Sequence, residues 1–168
     1  MHGNRYLFTS KRLGFRLPED ADLKDLKRLD MDPEVRAHFP EGVLTVEQIL
    51  ERLRKNQAFF DEVGLADFAA IELATGEFAG RAGFGRIEGG DIEVGYVFFR
   101  EFWGRGLAQE SLRALLGWLG DELKVARVLA YAPVQHTASF NVMKKSGMRY
   151  LETRNLRGVE CDVYEFAF

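Results

Sequence analysis

Residues 94–119 read VGYVFFREFWGRGLAQESLRALLGWL and place two glycines, Gly104 and Gly106, between an apolar run and an amphipathic helix. Three strand-like runs precede these glycines in the span 66–99, separated by the turn signals ATG and EGG. After the glycines, leucines recur at helical spacing up to about Gly120. The centre of the predicted fold is therefore a three-strand antiparallel meander that passes through a glycine turn into a helix.

Ahead of this centre the sequence predicts one strand and two helices. The strand covers LGFRL, residues 13–17, and ends at Pro18. The first helix follows in PEDADLKDLKRLDMD, where three leucines recur at every third position and acidic residues occupy the first turn. Thr45 and Gln48 form a capping box that begins the second helix, which runs to about Phe60.

Behind the centre come a strand, a short helix and a closing hairpin. ARVLAYA is typical of a buried strand, and TASFNVMKKSG is typical of a helix with Gly147 at its C-terminal cap. MRYLET and CDVYEFAF are strands joined around NLRG. The sequence contains no repeats, low-complexity segments or linkers. We therefore expect a single domain over residues 1–168, of the α/β class, with a mixed, mostly antiparallel central sheet flanked by helices.

The composition excludes several classes of protein. Hydrophobic residues make up 46% and aromatic residues 12% of the chain, which is typical of a packed core and not of disorder. No apolar run is long enough to cross a bilayer, and the N-terminus lacks the apolar segment of a signal peptide. Cys161 is the only cysteine, so an internal disulfide and a thiolate metal cluster are ruled out. With a formal net charge of −3, we expect a cytoplasmic protein with no metal and no nucleic-acid or membrane partner.

The glycine turn at Gly104 and Gly106 has two interpretations. A helix N-terminus preceded by glycines can bind a phosphate, because its first amides are unpaired and the backbone can approach the ligand closely. The alternative is an ordinary tight turn, because a G-x-G pair alone is weak evidence. A P-loop would need a lysine after the glycines, and a Rossmann fingerprint would need glycine at Gln109.

A second set of glycines lies inside a strand pattern, at Gly80, Gly83 and Gly85. Glycines within a strand mark bulges or places where another part of the chain packs closely. We expect such packing here and not a ligand.

The glycine turn also carries a resemblance to a known family. FWGRGLAQESLRALLGWL resembles the pyrophosphate loop of the GNAT superfamily of N-acetyltransferases, with Trp103 where glutamine or arginine is usual. The related subgroup of ribosomal-protein N-terminal acetyltransferases, RimJ/RimL-like, often reads YWGRGYA there. IEVGYVF is similar to the central strand of that subgroup, and TSKRLGFRLPEDADLKDLKRLDMDPEVRAHFP is similar to its N-terminal strand and first helix. HTASFNVMKKSGMRY is similar to a later segment, with His136 where asparagine is typical.

This resemblance implies an enzyme that moves an acetyl group from acetyl-CoA to a primary amine by direct transfer in a ternary complex. The amine is a protein N-terminus, a polyamine or another small amine. Acetyl-CoA would lie where strands 92–99 and 127–132 splay apart. A bulge would leave backbone groups of the first strand unpaired there. The expected contacts to acetyl-CoA are Val97, Phe98, Phe99, Trp103, Gly104, Arg105, Gly106, Leu107, Ala108, Ser139, Asn141 and Lys144.

Ser139 and Glu93 are the candidate catalytic residues. Ser139 matches the serine of the family segment and would protonate the departing thiolate, although a serine near the start of a helix is also typical of a cap. Glu93 would accept the proton that the amine must lose, directly or through water, and Glu72 is a weaker candidate for this role. An exposed glutamate at the start of a strand is the other interpretation of Glu93. For Cys161 we expect a packed thiol and not an acyl-cysteine nucleophile.

Other residues have open interpretations. Asn141 and Lys144 either contact CoA or form a polar helix face, and Arg105 either contacts the pyrophosphate or is solvated. His136 is either a second ligand contact or an ordinary loop histidine, and we expect the latter because no partner is visible in the sequence. The phenylalanines of 98–102 are expected mainly in the core.

The resemblance also implies an acceptor pocket between residues 30–45 and 153–162. In that pocket Asp32, Glu34 and Asp162 are candidates to meet a cation. A homodimer is implied by the resemblance alone. Two competing functions are a non-catalytic acyl-CoA-binding or sensor module on the same fold and a nucleotide-binding protein of another fold.

Overall fold

The computed structural model describes residues 5–168, which build one eight-stranded sheet with helices on both faces. The helices are α1 (Leu23–Asp30), α2 (Val46–Val63), α3 (Leu107–Glu122) and α4 (Thr137–Lys145). The strands are β1 (Phe8–Thr9), β2 (Leu13–Arg16), β3 (Asp67–Glu72), β4 (Phe78–Arg86), β5 (Ile92–Phe98), β6 (Arg127–Pro133), β7 (Arg149–Leu156) and β8 (Val159–Ala167). The predicted fold class is confirmed. Within this range no helix is both long and apolar enough to span a membrane.

The predicted helix boundaries are set by the capping residues. The Thr45 side chain accepts a hydrogen bond from the Gln48 amide at 3.2 Å, and the Gln48 side chain accepts one from the Thr45 amide at 2.8 Å. The first predicted helix is shorter than expected, because residues 20–22 form a 3-10 turn and α1 begins at Leu23. Gly147 follows α4 with a φ of +88°, which confirms it as the C-terminal cap.

The predicted meander and closing hairpin are both present. Strands β3, β4 and β5 pair antiparallel in sequence order, and β7 pairs antiparallel with β8. The closing turn uses positive φ at Arg157 and Gly158, a backbone conformation whose twist suits a two-residue hairpin loop. Strand β1, which pairs with β2, was not predicted, since two residues are too few for a periodic signal.

The order of strands in the sheet is β1-β2-β3-β4-β5-β6-β8-β7, and the β5–β6 pair is parallel. In the described residues this parallel pair has a single Cα partner position, Glu93 opposite Leu129. Beyond that position β5 and β6 separate. The predicted splaying of strands 92–99 and 127–132 is therefore confirmed, and it opens a gap in the middle of the sheet.

The two faces of the sheet pack against different helices. On one face, Phe84 of β4 stacks with Trp118 of α3, at a ring-centroid distance of 6.1 Å. On the other face, Arg81 of β4 pairs with Asp30 of α1 at 2.8 Å. We call these faces the α3/α4 face and the α1/α2 face. Because side chains alternate along a strand, the residues of β5 divide between them: Val94 and Tyr96 lie on the first face, Glu93 and Gly95 on the second.

Candidate active site

A cleft of about 720 Å³ lies at the gap between β5 and β6. Its walls come from the segment 36–41, from the N-terminal half of α2, from β4, β5 and β6, and from α4. Glu93 and Ser139, the two predicted catalytic residues, both line it. They are 46 positions apart in the sequence, so the parallel pairing of β5 with β6 is what brings them to one site.

Glu93 lies on the α1/α2 face, half-buried, beside Tyr131 of β6. Burial raises the pKa of Glu93 above the ordinary value, and Asp67 raises it further, while Arg52 and the Tyr131 hydroxyl lower it. Burial and the adjacent carboxylate raise the pKa of Tyr131 as well. A carboxyl group with a raised pKa at the edge of a cleft is suited to accept a proton near neutral pH.

Ser139 lies on the α3/α4 face, where its Oγ is 3.0 Å from Oη of Tyr96. Burial raises the pKa of Tyr96 to about 12, so this hydroxyl stays protonated at neutral pH. Helix α4 has His136 as its N-cap, which contradicts the interpretation of Ser139 as a cap. Tyr96 was not predicted as a site residue, although a tyrosine in a mostly apolar strand signals a hydroxyl in need of a partner.

The glycine turn has the conformation that only glycine adopts readily. Gly104 and Gly106 have φ values of +74° and +76°, and Gly106 is the N-cap of α3. The first amides of α3 have no partner within the helix, as at any helix N-terminus. The buried Leu107 fixes this end of α3 to the core, and Ala108 follows it in the first turn.

Arg105 and Trp103 of the turn have specific partners. The Arg105 guanidinium is partly exposed and pairs with Glu72 of β3, so Glu72 lies in this ion pair and is not among the residues that line the cleft. This ion pair and a hydrogen bond from Thr75 hold the pKa of Glu72 below the ordinary value. The half-exposed Trp103 donates its indole N–H to the Phe98 carbonyl oxygen at 2.9 Å.

The predicted unpaired backbone groups on β5 need correction. Strand β5 pairs with β4 without a bulge, and the Phe99 amide donates to the Ala79 carbonyl at 3.0 Å. Since hydrogen-bonded positions alternate in an antiparallel pair, Val97 also bonds to β4. The backbone of Tyr96 and the amide of Phe98 point to the gap instead. The side chains of 97–99 and Phe102 are buried, as expected of core residues.

His136 has a partner that the sequence did not reveal. Its ring stacks on that of His38 with centroids 3.7 Å apart and 13° between the planes, and both rings line the cleft. Burial, and secondarily His38, lower the pKa of His136 to about 4. The pair joins the segment before α2 to the start of α4.

A chain of ion pairs centred on the buried Asp30 and Arg81 lies behind the α1/α2 side of the cleft. Arg81 pairs with Asp30 and with Asp67, each at 2.8 Å, and Arg52 pairs with Asp67 at 3.0 Å. Arg36, whose side chain is 2% exposed, lies 3.5 Å from Asp30. These contacts join α1, α2, β3 and β4.

Several candidates lie elsewhere. Asp32 and Glu34 pair with Arg100, and Asp162 accepts a hydrogen bond from Thr153. None of these three acidic residues is among those that line the cleft. Asn141 and Lys144 are exposed on α4, and Cys161 is fully buried, as expected of a packed thiol. The acidic residues that do line the cleft are Glu41, Glu47, Glu51, Asp67 and Glu93.

Comparison with known proteins agrees with this geometry. The family model described as an acetyltransferase (GNAT) domain matches residues 12–149. The chain is 33% identical over 158 residues to the uncharacterized protein YkkB of Bacillus subtilis, a match that covers 92% of this chain and 91% of that protein. Its structure is similar to that of a GNAT-family acetyltransferase from Bacillus anthracis, with 25% identity, a TM-score of 0.80 and coverage of 95% and 96%.

The chain belongs to the GNAT family of acetyltransferases, and it is an acetyl-CoA-dependent acyltransferase. The fold is also shared with RimL, the ribosomal L7/L12 α-N-protein acetyltransferase, at a TM-score of 0.80, 18% identity and coverage of 96% and 97%. At this identity the likeness to RimL is a likeness of fold, and it is the predicted membership of the GNAT superfamily that the family model confirms.

Proposed function

We propose that residues 1–168 form one N-acetyltransferase domain that moves an acetyl group from acetyl-CoA to a primary amine within a ternary complex. The observation that carries this proposal is the gap between β5 and β6, with Ser139 and Tyr96 on one face of the sheet and Glu93 on the other. The donor enters from the α3/α4 face and the amine from the α1/α2 face. The two substrates therefore meet in the gap without an acyl-enzyme.

The donor is held by the turn and by the gap. The amides at the start of α3, beside Gly104 and Gly106, bind the pyrophosphate of acetyl-CoA. Trp103 and the backbone of β5 form the walls of the path from the turn to the gap. The Phe98 amide donates a hydrogen bond to the thioester oxygen as this oxygen gains negative charge. Asn141 and Lys144 contact the exposed part of CoA.

The chemistry needs two proton transfers. The amine nitrogen attacks the thioester carbonyl carbon, the C–S bond breaks and the acetyl group ends on the nitrogen. Glu93 takes the proton that the nitrogen loses, directly or through one water, and its raised pKa suits this role. Ser139, hydrogen-bonded to Tyr96, gives a proton to the departing sulfur. Glu93 then releases its proton to solvent, and Ser139 takes one back from solvent.

Thiol release from acetyl-CoA tests the proposal. We expect release that requires an amine from a panel of peptides and polyamines, together with calorimetric binding of acetyl-CoA and CoA but not of ATP. Cys161→Ala retains most of the turnover, and mass spectrometry finds no acetyl adduct on Cys161 in the absence of amine. Tight binding of acetyl-CoA without amine-dependent release would instead favour the non-catalytic sensor module. An adduct that forms and decays at the rate of turnover would contradict direct transfer.

A further inference from the structure

The floor of the cleft on the α1/α2 face is built from three glycines. Gly83 and Gly85 are two positions apart on β4, and Gly95 lies on β5 directly opposite Gly83. Glu93, also on β5, lies opposite Gly85 and is the fourth residue of this group. All of these residues share one face, because side chains alternate along each strand, and all line the cleft. Beside Glu93 the sheet therefore presents bare backbone over roughly 5 by 7 Å, one strand spacing by two residues.

The three glycines have different reasons to lack a side chain. A Cβ at Gly83 would lie 2.2 Å from the Ala66 carbonyl oxygen, so close packing requires glycine there, as the sequence predicted. A Cβ at Gly85 would lie 3.0 Å from a carboxylate oxygen of Glu93. At Gly95, apart from its chain neighbours, no heavy atom of residues 5–168 lies within 4 Å of a Cβ, and its φ is not in the left-handed region. The fold does not require glycine at position 95.

Position 95 lies where the acceptor must pass. On β5 it is between Glu93, which takes the proton, and Val97, at the point where β5 and β6 have just separated. A reacting nitrogen in the gap has to be about 3–3.5 Å from the thioester carbon and within hydrogen-bond reach of Glu93 or of one bridging water. The carbon that carries this nitrogen then lies over Gly95. A methyl group at position 95 would occupy the space beside that carbon.

We propose that Gly95 determines acceptor specificity by leaving room for an amine whose nitrogen-bearing carbon carries a side chain, as the first residue of a peptide does. This inference rests on the proposed acetyl transfer to a primary amine. An unbranched amine, such as the end of a polyamine, has only hydrogens at that carbon and does not need the bare floor. A branched acceptor therefore explains why position 95 is glycine, whereas an unbranched acceptor would leave the space above Gly95 unfilled.

The test compares Gly95→Ala with wild type on two peptides that differ only in a first residue of valine or glycine. Wild type acetylates both peptides. Gly95→Ala lowers kcat/KM for the valine peptide about 10- to 100-fold more than for the glycine peptide, the range expected when one extra methyl group is rejected. The acetyl-CoA Kd and the Tm stay unchanged. Gly117→Ala is the matched control, since Gly117 also has open space around it but lies on α3 outside the cleft.

Four results would overturn the inference. An equal loss for both peptides, or no loss for either, would remove the role of Gly95 in specificity while leaving amine acetylation in place. Acetylation of an unbranched diamine but of neither peptide by wild type would show that the acceptor is unbranched. Failure of every amine to release thiol would contradict the proposed function itself, and with it this inference.

Discussion

The two sides of the cleft are built in different ways. On the α3/α4 face, the glycine turn, the first turn of α3 and Tyr96 come from one run of 13 positions, 96–108, and only Ser139 is added from elsewhere. On the α1/α2 face, the cleft is assembled from the segment 36–41, α2, β3, β4, β5 and β6. The first side is a local motif, and the second exists only through long-range packing.

The difference between the sides lies also in their charges. On the α1/α2 side the charged groups form a chain of ion pairs from Asp30 through Arg81 and Asp67 to Arg52, in which Asp30 and Arg81 are buried and Arg52 is partly exposed. The α3/α4 side relies on backbone amides and hydroxyl groups. We therefore expect substitutions on the α3/α4 side to affect donor binding and protonation of the leaving sulfur. Substitutions on the α1/α2 side should affect folding, acceptor choice and removal of the amine proton.

The largest effect is expected at the glycine turn. Gly106→Val places a branched side chain where acetyl-CoA must approach the backbone, so donor binding is lost in calorimetry. The positive φ adds a stability cost of about 1–2 kcal/mol. Gly64→Val is the matched control, because Gly64 caps α2 with a φ of +75° and also has open space around it. Equal affinity for acetyl-CoA in Gly106→Val and wild type would refute the pyrophosphate site.

Asp30→Ala should destabilise the α1/α2 side of the cleft. It removes the buried carboxylate that Arg81 and Arg36 share and leaves Arg81 only Asp67 and Arg36 only Glu41, which costs about 3–5 kcal/mol in the free energy of unfolding measured with urea. Glu51→Ala removes an exposed partner of Arg54 and Lys55 and should leave the free energy of unfolding close to that of wild type. At temperatures where Asp30→Ala remains folded, its acetyl-CoA Kd should stay near that of wild type. A large loss of donor affinity would show that the two sides are not separable.

Ser139→Ala tests the chemistry on the α3/α4 side. If the hydroxyl protonates the leaving sulfur, kcat falls about 100-fold while the acetyl-CoA Kd changes little, because the interaction strengthens only as charge builds on sulfur. Tyr96→Phe removes the partner of Ser139 and should give a smaller loss of kcat in the same direction. The two values of kcat, the donor Kd and the Tm are measured together. A lowered Tm with unchanged kcat would assign Ser139 a structural role only.

The smallest effect is expected from the stacked histidines that join the two sides. In the folded protein the pKa of His136 is about 4, below the ordinary value of 6.5, so between these values the unfolded chain binds more protons than the folded one. This contribution to stability is present above pH 6.5 and is lost as the pH falls toward 4. The Tm of wild type should drop more between pH 7 and pH 5 than that of His136→Gln. An equal drop in both proteins would contradict the buried neutral state of His136.

Several local features of the fold could be predicted from short sequence patterns. The capping box at Thr45, the glycine cap at Gly147 and the hairpin around NLRG were predicted because each depends on a few adjacent residues. The pairing of Arg105 with Glu72 could not be read in this way, because the two residues are 33 positions apart and meet only when β3 lies beside the glycine turn. The stacking of His38 on His136 has the same origin.

Local sequence was sufficient to predict the family, the order of helices and strands from β2 to β8, and the left-handed glycines at the start of α3. These features follow from backbone preferences and from the spacing of apolar residues, which act over one or two turns of chain. The packed fold was needed to show which carboxylates face the cleft, that Tyr96 is the partner of Ser139, and that Gly95 leaves open space beside Glu93. A side chain's partner depends on strand register and helix docking, and these are set by the packing of the whole core.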